Sequence, residues 1–254
     1  MKNENKQFQY KRYHIPNLVR AISVFEKLSE SNDGLTQLSL MKSCKLTQSS
    51  VFRILATLLD YGLVEKNCED NRYTLSKKFL HLAYKSAKSE NLLKSVVSQM
   101  CEIRDTVKET TMLGVLLDES FIMIHQEVGT HHFNYTASVG LECPMHTAAG
   151  SKAILAYLDE DKLNNYLKKI KFTKYNSNTI STKNEFLKEL ELIRKLGYAT
   201  DCQEFVCGMN CVGVPVFDEN GQVCSAIWVT GPSDRLKEKD FEKIANIMKR
   251  IIGQ

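Results

Sequence analysis

The chain has 254 residues, of which 43% are hydrophobic and 25% are charged, so it can form one large domain or two ordinary domains with real cores. No run of about 18 apolar residues is present, so no transmembrane helix is expected. The polar, basic N-terminus lacks the apolar stretch of a signal peptide, so the sequence predicts a cytoplasmic protein with no membrane partner.

The net charge of +4 is distributed unevenly along the chain. Residues 1–90 contain 15 Lys and Arg against 9 Asp and Glu, whereas the remaining residues contain 19 against 21. An excess of positive charge in one segment is typical of a module that binds phosphates. An ordinary solvated surface with a chance imbalance is the alternative interpretation.

The first predicted elements are a basic arm and two helices. Residues 1–14 form the arm, which carries Lys2, Lys6, Lys11 and Arg12. The spacing of apolar residues predicts a first helix after Pro16, and Asn32–Gly34 ends it. A second helix is predicted from about Thr36 to Lys45.

Residues 47–75 predict a third helix followed by a hairpin. Thr47 is a good N-cap, and Gly62 supplies the left-handed residue that commonly follows a helix. Between them, apolar residues fall on one helix face: Val51, Ile54, Leu55, Leu58 and Leu59. Leu63–Glu65 and Arg72–Leu75 have the composition of strands joined by a charged turn. Residues 1–75 therefore predict a winged helix-turn-helix domain, whose third helix suits the major groove of DNA.

Residues 76–90 predict a linker helix, and residues 91–254 predict a second domain. Helices are predicted at 92–106, 147–158, 159–169, 183–196 and 237–251, and strands at 111–117, 121–127, 132–139, 211–217 and 223–230. Antiparallel strands interleaved with helices predict an α+β domain whose sheet is covered on at least one face.

Six blocks of sequence occur in an informative order. They are Asn17–Ile22, Ser49–Leu55, Asn71–Leu75, Cys143–Ala153, Leu196–Asp201 and the run from Cys211–Asp218 to Thr230–Pro232. Together they resemble the isocitrate-lyase-regulator (IclR) family of bacterial transcription factors. The resemblance implies a winged helix-turn-helix, a linker helix and a GAF-like effector domain, assembled as a homodimer or a dimer of dimers. It also implies a repressor of a carbon-catabolism operon, released from or engaged at its double-stranded DNA operator by a small organic, sugar or aromatic acid.

Two positions depart from the family's pattern. Lys45 stands where the turn before the third helix usually carries Gly, and a left-handed conformation there costs about 1 kcal/mol or more. Ser151 and Lys152 replace the usual Gly-Lys, with Gly150 one position earlier. We therefore expect the backbone beside the effector to differ in shape.

The predicted DNA-binding residues lie around the third helix and in the hairpin: Lys45, Thr47, Gln48, Ser49, Ser50, Arg53 and Arg72. Gln can pair with adenine and Arg with guanine in the major groove, while Ser and Thr hydroxyls commonly contact phosphates. We expect Arg72 and the basic arm to bind the DNA backbone or the minor groove. The alternatives are a surface ion pair for Arg53 and solvated charge for Arg72 and the arm.

The resemblance assigns nine residues to an effector pocket: Tyr135, Cys143, Ala149, Gly150, Asp201, Met209, Cys211, Trp228 and Thr230. Trp228 and Thr230 have the same strand parity, so their side chains share one face. Backbone N–H groups near Gly150 could hold a carboxylate, and Asp201 could accept hydrogen bonds from hydroxyl groups. The family often has small polar residues at the positions of Trp228 and Thr230, so Trp228 is expected to shrink or reshape the cavity. Core packing for Trp228 and a turn cap for Asp201 are the alternatives.

The sequence predicts neither an enzyme nor a cofactor. It lacks G-x-S-x-G, H-E-x-x-H, the P-loop and the dinucleotide fingerprint, and the adjacent His131 and His132 would point apart in a strand. Eight scattered cysteines without a C-x-x-C pair indicate reduced, mostly structural thiols: Cys44, Cys68, Cys101, Cys143, Cys202, Cys207, Cys211 and Cys224. Two rival functions stay open: a GAF-like thiol redox enzyme using Cys202, Cys207 and Cys211, and an interaction module with a vestigial helix-turn-helix.

Overall fold

The computed structural model describes residues 11–31, 33–79, 82, 90–117 and 120–253. The chain divides into two compact units, Met1–Glu90 and Asn91–Gln254, and each unit has its own buried apolar residues. Within the described residues, no helix is both long enough and apolar enough to cross a membrane.

The described part of the N-terminal unit is built from helices and a small sheet. Its elements are α1 (Pro16–Ser29), β1 (Leu35–Thr36), α2 (Gln37–Cys44), α3 (Gln48–Asp60), β2 (Val64–Lys66) and β3 (Arg72–Leu75). The sheet is antiparallel, in the order β1-β3-β2. The predicted winged helix-turn-helix fold is confirmed. The structure adds β1, a strand of two residues that is too short to leave a periodic pattern in the sequence.

Apolar residues of the three helices form the core of this unit. Val51, Leu55 and Leu58 of α3 are buried, as the predicted apolar stripe requires. Val24 and Leu28 of α1 pack in the same cluster. Burying each of these side chains contributes roughly 1.5–3 kcal/mol to folding. The stripe therefore fixes which face of α3 packs on the core and which face is left to solvent.

Local contacts fix the ends of α2 and α3. The Thr47 hydroxyl accepts a hydrogen bond from the backbone N–H of Ser50, which confirms the predicted N-cap. Lys45 has φ 53° and ψ 43°, so the turn between α2 and α3 is left-handed without a glycine. A non-glycine residue in this conformation costs about 1–2 kcal/mol. Gly62, with φ 64°, adopts the same conformation after α3 at no such cost.

Two predicted segments lie mostly outside the described residues. The basic arm is described only from residue 11, where Lys11–Tyr13 form one turn of 3-10 helix. Of the predicted linker helix over residues 76–90, the structure describes residues 76–79, 82 and 90. Both segments therefore stay predictions.

The C-terminal unit contains a six-stranded antiparallel sheet, counted over the described residues, in the order β6-β5-β4-β9-β8-β7. The strands are β4 (Thr110–Leu117), β5 (Ser120–Glu127), β6 (Glu142–Cys143), β7 (Ala199–Cys202), β8 (Met209–Phe217) and β9 (Val223–Pro232). The helices are α4 (Glu90–Val107), α5 (Ala149–Leu155), α6 (Glu160–Leu167), α7 (Lys183–Leu196) and α8 (Phe241–Ile252).

Helices cover both faces of this sheet. Ala226 and Trp228 of β9 belong to a core that includes residues of α5, α6 and α7. The alternate residues Ile227 and Val229 belong to a second core that includes residues of α4 and α8. Because successive residues of a strand point to opposite faces, the sheet separates the two cores. The predicted α+β fold is confirmed, with helices on two faces.

One predicted strand is wrong. Residues 132–139 have no strand pairing, and β5 pairs instead with the two-residue β6, in which Cys143 lies opposite Phe121. The reason is a side chain: the Gln126 amide donates to the carbonyl oxygen of Ala137 and accepts from its N–H. The Gln126 side chain thus satisfies the backbone N–H and carbonyl groups of Ala137, which a neighbouring strand would otherwise bond.

Candidate nucleic-acid interface and ligand cavity

The predicted DNA-binding residues of α3 and the preceding turn lie at one end of the helix. Their side chains are exposed or half-buried: Lys45, Thr47, Gln48, Ser49, Ser50 and Arg53. Because the apolar stripe of α3 packs on the core, these polar groups project from the other side of the helix. The structure therefore brings six of the seven predicted DNA-binding residues to one surface.

Hydrogen bonds within the N-terminal unit distinguish Thr47 and Ser50 from Arg53. The Thr47 hydroxyl donates to the Ser50 hydroxyl over 3.0 Å and also caps the helix, so both side chains contribute to the fold. The Arg53 guanidinium has no hydrogen-bond or ion-pair partner in the part of the chain that the structure describes. An exposed guanidinium in this position is free to reach a base edge or a phosphate.

Arg72, the seventh predicted residue, has a different environment. Its Nη1 donates to the carbonyl oxygen of Gly34 over 2.9 Å, and its Nε lies 3.5 Å from a carboxylate oxygen of Asp70. The first contact ties β3 to the loop before β1, and the second stays within the hairpin. The side chain is still 43% exposed, so Arg72 combines a structural hydrogen bond with a charge that faces solvent.

Sequence reasoning missed one exposed residue of α3. Phe52 is 61% exposed, and together with Arg53 it follows Ser49 by three and four residues, so the three side chains share one side of the helix. An exposed apolar ring at such a position is able to contact the methyl group of thymine. The available signal was its spacing, because Phe52 falls outside the apolar stripe of α3.

The C-terminal unit contains a cavity of about 230 Å³ on the face of the sheet that carries Trp228, beside the start of α5. Eight of the nine residues that the resemblance assigned to an effector pocket line it: Tyr135, Cys143, Ala149, Asp201, Met209, Cys211, Trp228 and Thr230. Lining residues that the sequence did not indicate include Met112, Met123, Thr136, Ala137, Phe205 and Val206. Phe205 and Val206 lie in the loop after β7, and no pattern in the sequence marks them.

Strand register aligns three polar side chains of the cavity wall in one row. Asp201 of β7 pairs with Cys211 of β8, which pairs with Thr230 of β9. The Cys211 thiol donates to the Thr230 hydroxyl over 3.3 Å. Directly opposite residues of neighbouring strands point to the same face, so a ligand here meets a carboxylate, a thiol and a hydroxyl side by side.

Trp228 forms an apolar wall beside this row. The residue is 5% exposed, and its ring packs against that of Phe121, with the ring centroids 5.4 Å apart. Gly150, the ninth predicted residue, does not line the cavity. A Cβ at Gly150 would lie 2.7 Å from the indole, so this glycine makes room for Trp228.

A buried ion pair lies close to the cavity. The Lys152 ammonium is fully buried and lies 2.6 Å from Glu204 Oε1 and 3.4 Å from Glu189 Oε1. Burial acts to lower the pKa of Lys152, but the surrounding carboxylates outweigh it and raise that pKa. Burial raises the pKa of Glu204 to about 7 and that of Asp201 to about 6, although Lys152 opposes both shifts. The single ammonium of Lys152 thus faces several carboxyl groups. Its charge does not offset the effect of burial on the pKa of Glu204 and of Asp201.

The cavity wall itself carries a carboxyl group and no cation. Asp201 lines the cavity, and its Oδ1 accepts a hydrogen bond of 2.7 Å from the backbone N–H of Glu204. Of the described residues that line the cavity, none is Lys, Arg or His. A ligand with a hydroxyl donor therefore suits Asp201, and an anionic group suits the site best when Asp201 is protonated.

Cys202 and Cys211 do not have the environment of reactive thiols. Cys211 shares a face with Asp201, so Cys202, the next residue along β7, points to the other side of the sheet. Burial raises the pKa of Cys202 to about 11 and that of Cys211 well above its ordinary value. Reactive thiols need a low pKa and exposure, so neither residue suits redox chemistry. Among the described residues, no group of three His, Cys, Asp or Glu side chains is placed to hold a metal ion.

Both units of the chain match known families. Residues 17–67 match the IclR helix-turn-helix domain, and residues 84–252 match the C-terminal domain of the bacterial transcriptional regulator IclR. The HTH-type transcriptional regulator KdgR of Dickeya chrysanthemi is 29% identical over 225 residues, which cover 88% of this chain and 73% of that protein. The transcriptional repressor IclR of Escherichia coli (strain K12) is 27% identical over 226 residues, which cover 88% of this chain and 82% of that protein.

A solved structure shares the fold over nearly the whole chain. The IclR homolog from Microbacterium hydrocarbonoxydans, complexed with 4-hydroxybenzoate, has a TM-score of 0.76 and 18% sequence identity, and the match covers 93% of this chain and 99% of that chain. The matched family consists of transcription regulators and not of enzymes. The chain therefore belongs to the IclR family of bacterial transcriptional regulators, with a DNA-binding helix-turn-helix followed by an effector-binding domain.

Proposed function

We propose that this regulator is a metabolite-responsive repressor that acts in the cytoplasm on a carbon-catabolism operon. A small organic, sugar or aromatic acid in the cavity releases the protein from its operator or engages it there. The observation that carries this proposal is that residues far apart in the sequence, from Tyr135 to Thr230, enclose one space of about 230 Å³. Repression is supported by the E. coli relative, which is a transcriptional repressor.

On the DNA side, we assign base contacts to Gln48 and Arg53, since their side chains match adenine and guanine in the major groove. Phosphate contacts fall to the remaining polar residues of this surface and of the hairpin: Lys45, Thr47, Ser49, Ser50 and Arg72. Phe52 adds an apolar contact beside Arg53. The exposure of these side chains supports the assignment.

The DNA assignment is tested with the double variant Gln48→Ala, Arg53→Ala on the upstream intergenic DNA. Each bidentate base contact is worth about 1–3 kcal/mol, so we expect a large loss of affinity and of sequence preference in a gel-shift titration. Lys188→Ala removes an exposed charge from α7 and is the matched control, which should bind as the wild type does. Unchanged affinity and preference in the double variant would remove both residues from recognition.

On the ligand side, we propose a small acid that also carries a hydroxyl group. Asp201 and Thr230 bond the hydroxyl, and Trp228 packs on the apolar part of the molecule. The row of polar side chains across β7, β8 and β9 supports this arrangement. The 4-hydroxybenzoate bound by the Microbacterium homolog carries both a carboxylate and a hydroxyl.

Trp228 gives this proposal a direct test, because it is the only tryptophan of the chain and lines the cavity. A panel of sugar acids, keto acids and aromatic acids is titrated while the tryptophan fluorescence is recorded. An acid that changes the fluorescence should also change operator affinity, and Asp201→Asn should weaken both effects. A switch requires that the ligand binds two states with different affinity. If every acid that fills the cavity leaves operator affinity unchanged, the proposed switch is wrong.

We further propose that the protein is a homodimer or a dimer of dimers. Residues 1–75 form the DNA-binding domain, residues 76–90 the linker and residues 91–254 the effector domain. A two-fold symmetric regulator reads two half-sites about one helical turn apart, so the operator should be a near-palindrome. Sedimentation of the full chain, with and without operator DNA, tests the assembly. A single chain bound per operator would contradict it.

A further inference from the structure

The residues around Trp228 leave room for its large side chain. Trp228 pairs with Met112 of β4 on one side and with Gly213 of β8 on the other. A Cβ at Gly213 would lie 2.9 Å from the backbone carbon of Ala149, so this glycine allows the start of α5 to lie close to β8. The indole therefore lies in a narrow space between the sheet and α5.

Two further glycines make room for the ring itself. A Cβ at Gly114 of β4 would lie 2.9 Å from the indole, and a Cβ at Gly150 of α5 would lie 2.7 Å from it. Both glycines also approach Phe121, at 2.6 and 2.7 Å, and Phe121 packs against Trp228. The rings of Trp228 and Phe121 thus fill the space beside Gly114 and Gly150. The indole separates this filled space from the cavity.

The volume of the cavity limits what it holds. An engineered apolar cavity of about 150 Å³ binds benzene, so a cavity of about 230 Å³ has room for one ring with substituents. Pockets for drug-sized ligands start at about 300 Å³. The present cavity suits a ligand smaller than a drug-sized molecule, such as one six-membered ring with its substituents or a short chain.

We propose that Trp228 sets the upper size limit of the ligand, because its indole closes the cavity towards Gly114, Gly150 and Phe121. The polar row Asp201, Cys211 and Thr230 then holds the polar end of a small ligand whose apolar end stops at the indole. The inference rests on the proposed function only in taking this cavity as the ligand site.

The test uses indole as a probe, in the full-length variants Trp228→Ala and Trp228→Phe. Removing the ring opens an apolar space that joins the cavity, and apolar cavities of this kind bind small aromatic molecules. We expect Trp228→Ala to bind indole at least about tenfold more tightly than the wild type by calorimetry, with Trp228→Phe between them. The same order of affinities is expected for 2-naphthoate. Benzoate should bind the three proteins with nearly equal affinity. Equal indole binding by all three proteins would overturn the proposal.

A second pair of variants covers the case in which Trp228→Ala is poorly folded. Gly150→Ala places a methyl group against both the indole and Phe121, so it should lower the melting temperature of the wild-type background more than that of the Trp228→Phe background, where the contact with Phe121 remains. An equal loss in both backgrounds would mean that the ring does not fill this space, and would also overturn the proposal. These readouts need no operator. A failure of acids to alter DNA binding would thus contradict the proposed switch while leaving the size limit standing.

Discussion

At the scale of single residues, the buried carboxyl groups beside the cavity determine the response of stability to pH. Burial raises the pKa of Asp201 to about 6 and that of Glu204 to about 7, whereas an exposed carboxyl group titrates near pH 4. Between about pH 4 and pH 7, the folded protein therefore binds more protons than the unfolded chain. The contribution of these groups to the free energy of unfolding is greatest at low pH and falls as the pH rises through this window.

We therefore predict a pH-dependent effect of Asp201→Asn, which is a neutral replacement of similar shape. The variant should match the wild type near pH 4 and exceed its free energy of unfolding at pH 8 by roughly 1–3 kcal/mol, because the wild type must then bury a carboxylate. Urea titrations at both pH values measure the difference. Asp161→Asn, which changes an exposed residue in the first turn of α6, is the control and should show no such trend. A less stable Asp201→Asn protein at pH 8 would contradict the raised pKa.

At the scale of elements, the fold of α3 depends on its cap as much as on its apolar stripe. The cap is the hydroxyl of Thr47, which accepts the N–H of Ser50. Thr47→Ala should lower the free energy of unfolding of the helix-turn-helix by about 1 kcal/mol, whereas Thr47→Ser should retain most of it. Far-ultraviolet circular dichroism during thermal unfolding measures both variants. Equal losses for the two variants would show that the methyl group, rather than the hydroxyl, supports the helix.

The helices were predictable from the sequence because their apolar residues recur at a helical period. The spacing of apolar residues in α3 predicted both the helix and its buried face, and Gly62 predicted where the helix ends. The segment 132–139 was not predictable in this way, since the side chain of Gln126, eleven residues before Ala137, bonds the backbone of Ala137. Short strands such as β1 leave no periodic pattern at all.

The cavity was predictable only where a motif marked it. The resemblance identified Asp201, Cys211 and Trp228, which the structure brings to one wall. It did not identify Phe205, because a loop residue that contacts a cavity needs no particular spacing. It did not indicate that Gly150 leaves room for the rings of Trp228 and Phe121, because that property depends on packing between elements distant in the sequence.

At the scale of the whole molecule, two sites in two units must be linked if the protein is a switch. The N-terminal unit carries the exposed end of α3, and the C-terminal unit carries the cavity. The rival interpretation, an interaction module with a vestigial helix-turn-helix, keeps the fold but removes the DNA contacts. The response to salt separates the two, because each phosphate contact releases counterions when it forms.

We predict that operator binding weakens steeply as salt rises, and that Lys45→Ala reduces the slope of log affinity against log salt by about one. Lys45 is exposed in the turn before α3, so its loss should weaken binding to all DNA sequences alike. Gln48→Ala should instead change sequence preference and leave the slope nearly unchanged. Fluorescence anisotropy over a salt series measures both variants. Binding that is insensitive to salt would favour the interaction module.

The contact between Gln126 and Ala137 has a consequence for how the cavity fills. Tyr135, Thr136 and Ala137 all line the cavity, yet they belong to no sheet ladder, and the Gln126 amide bonds the backbone of Ala137. A segment with so few backbone bonds opens at a lower free energy than the strands around it. Its amides should exchange with solvent while those of β8 and β9 stay protected. A ligand bound in the cavity contacts this wall, so it should slow that exchange.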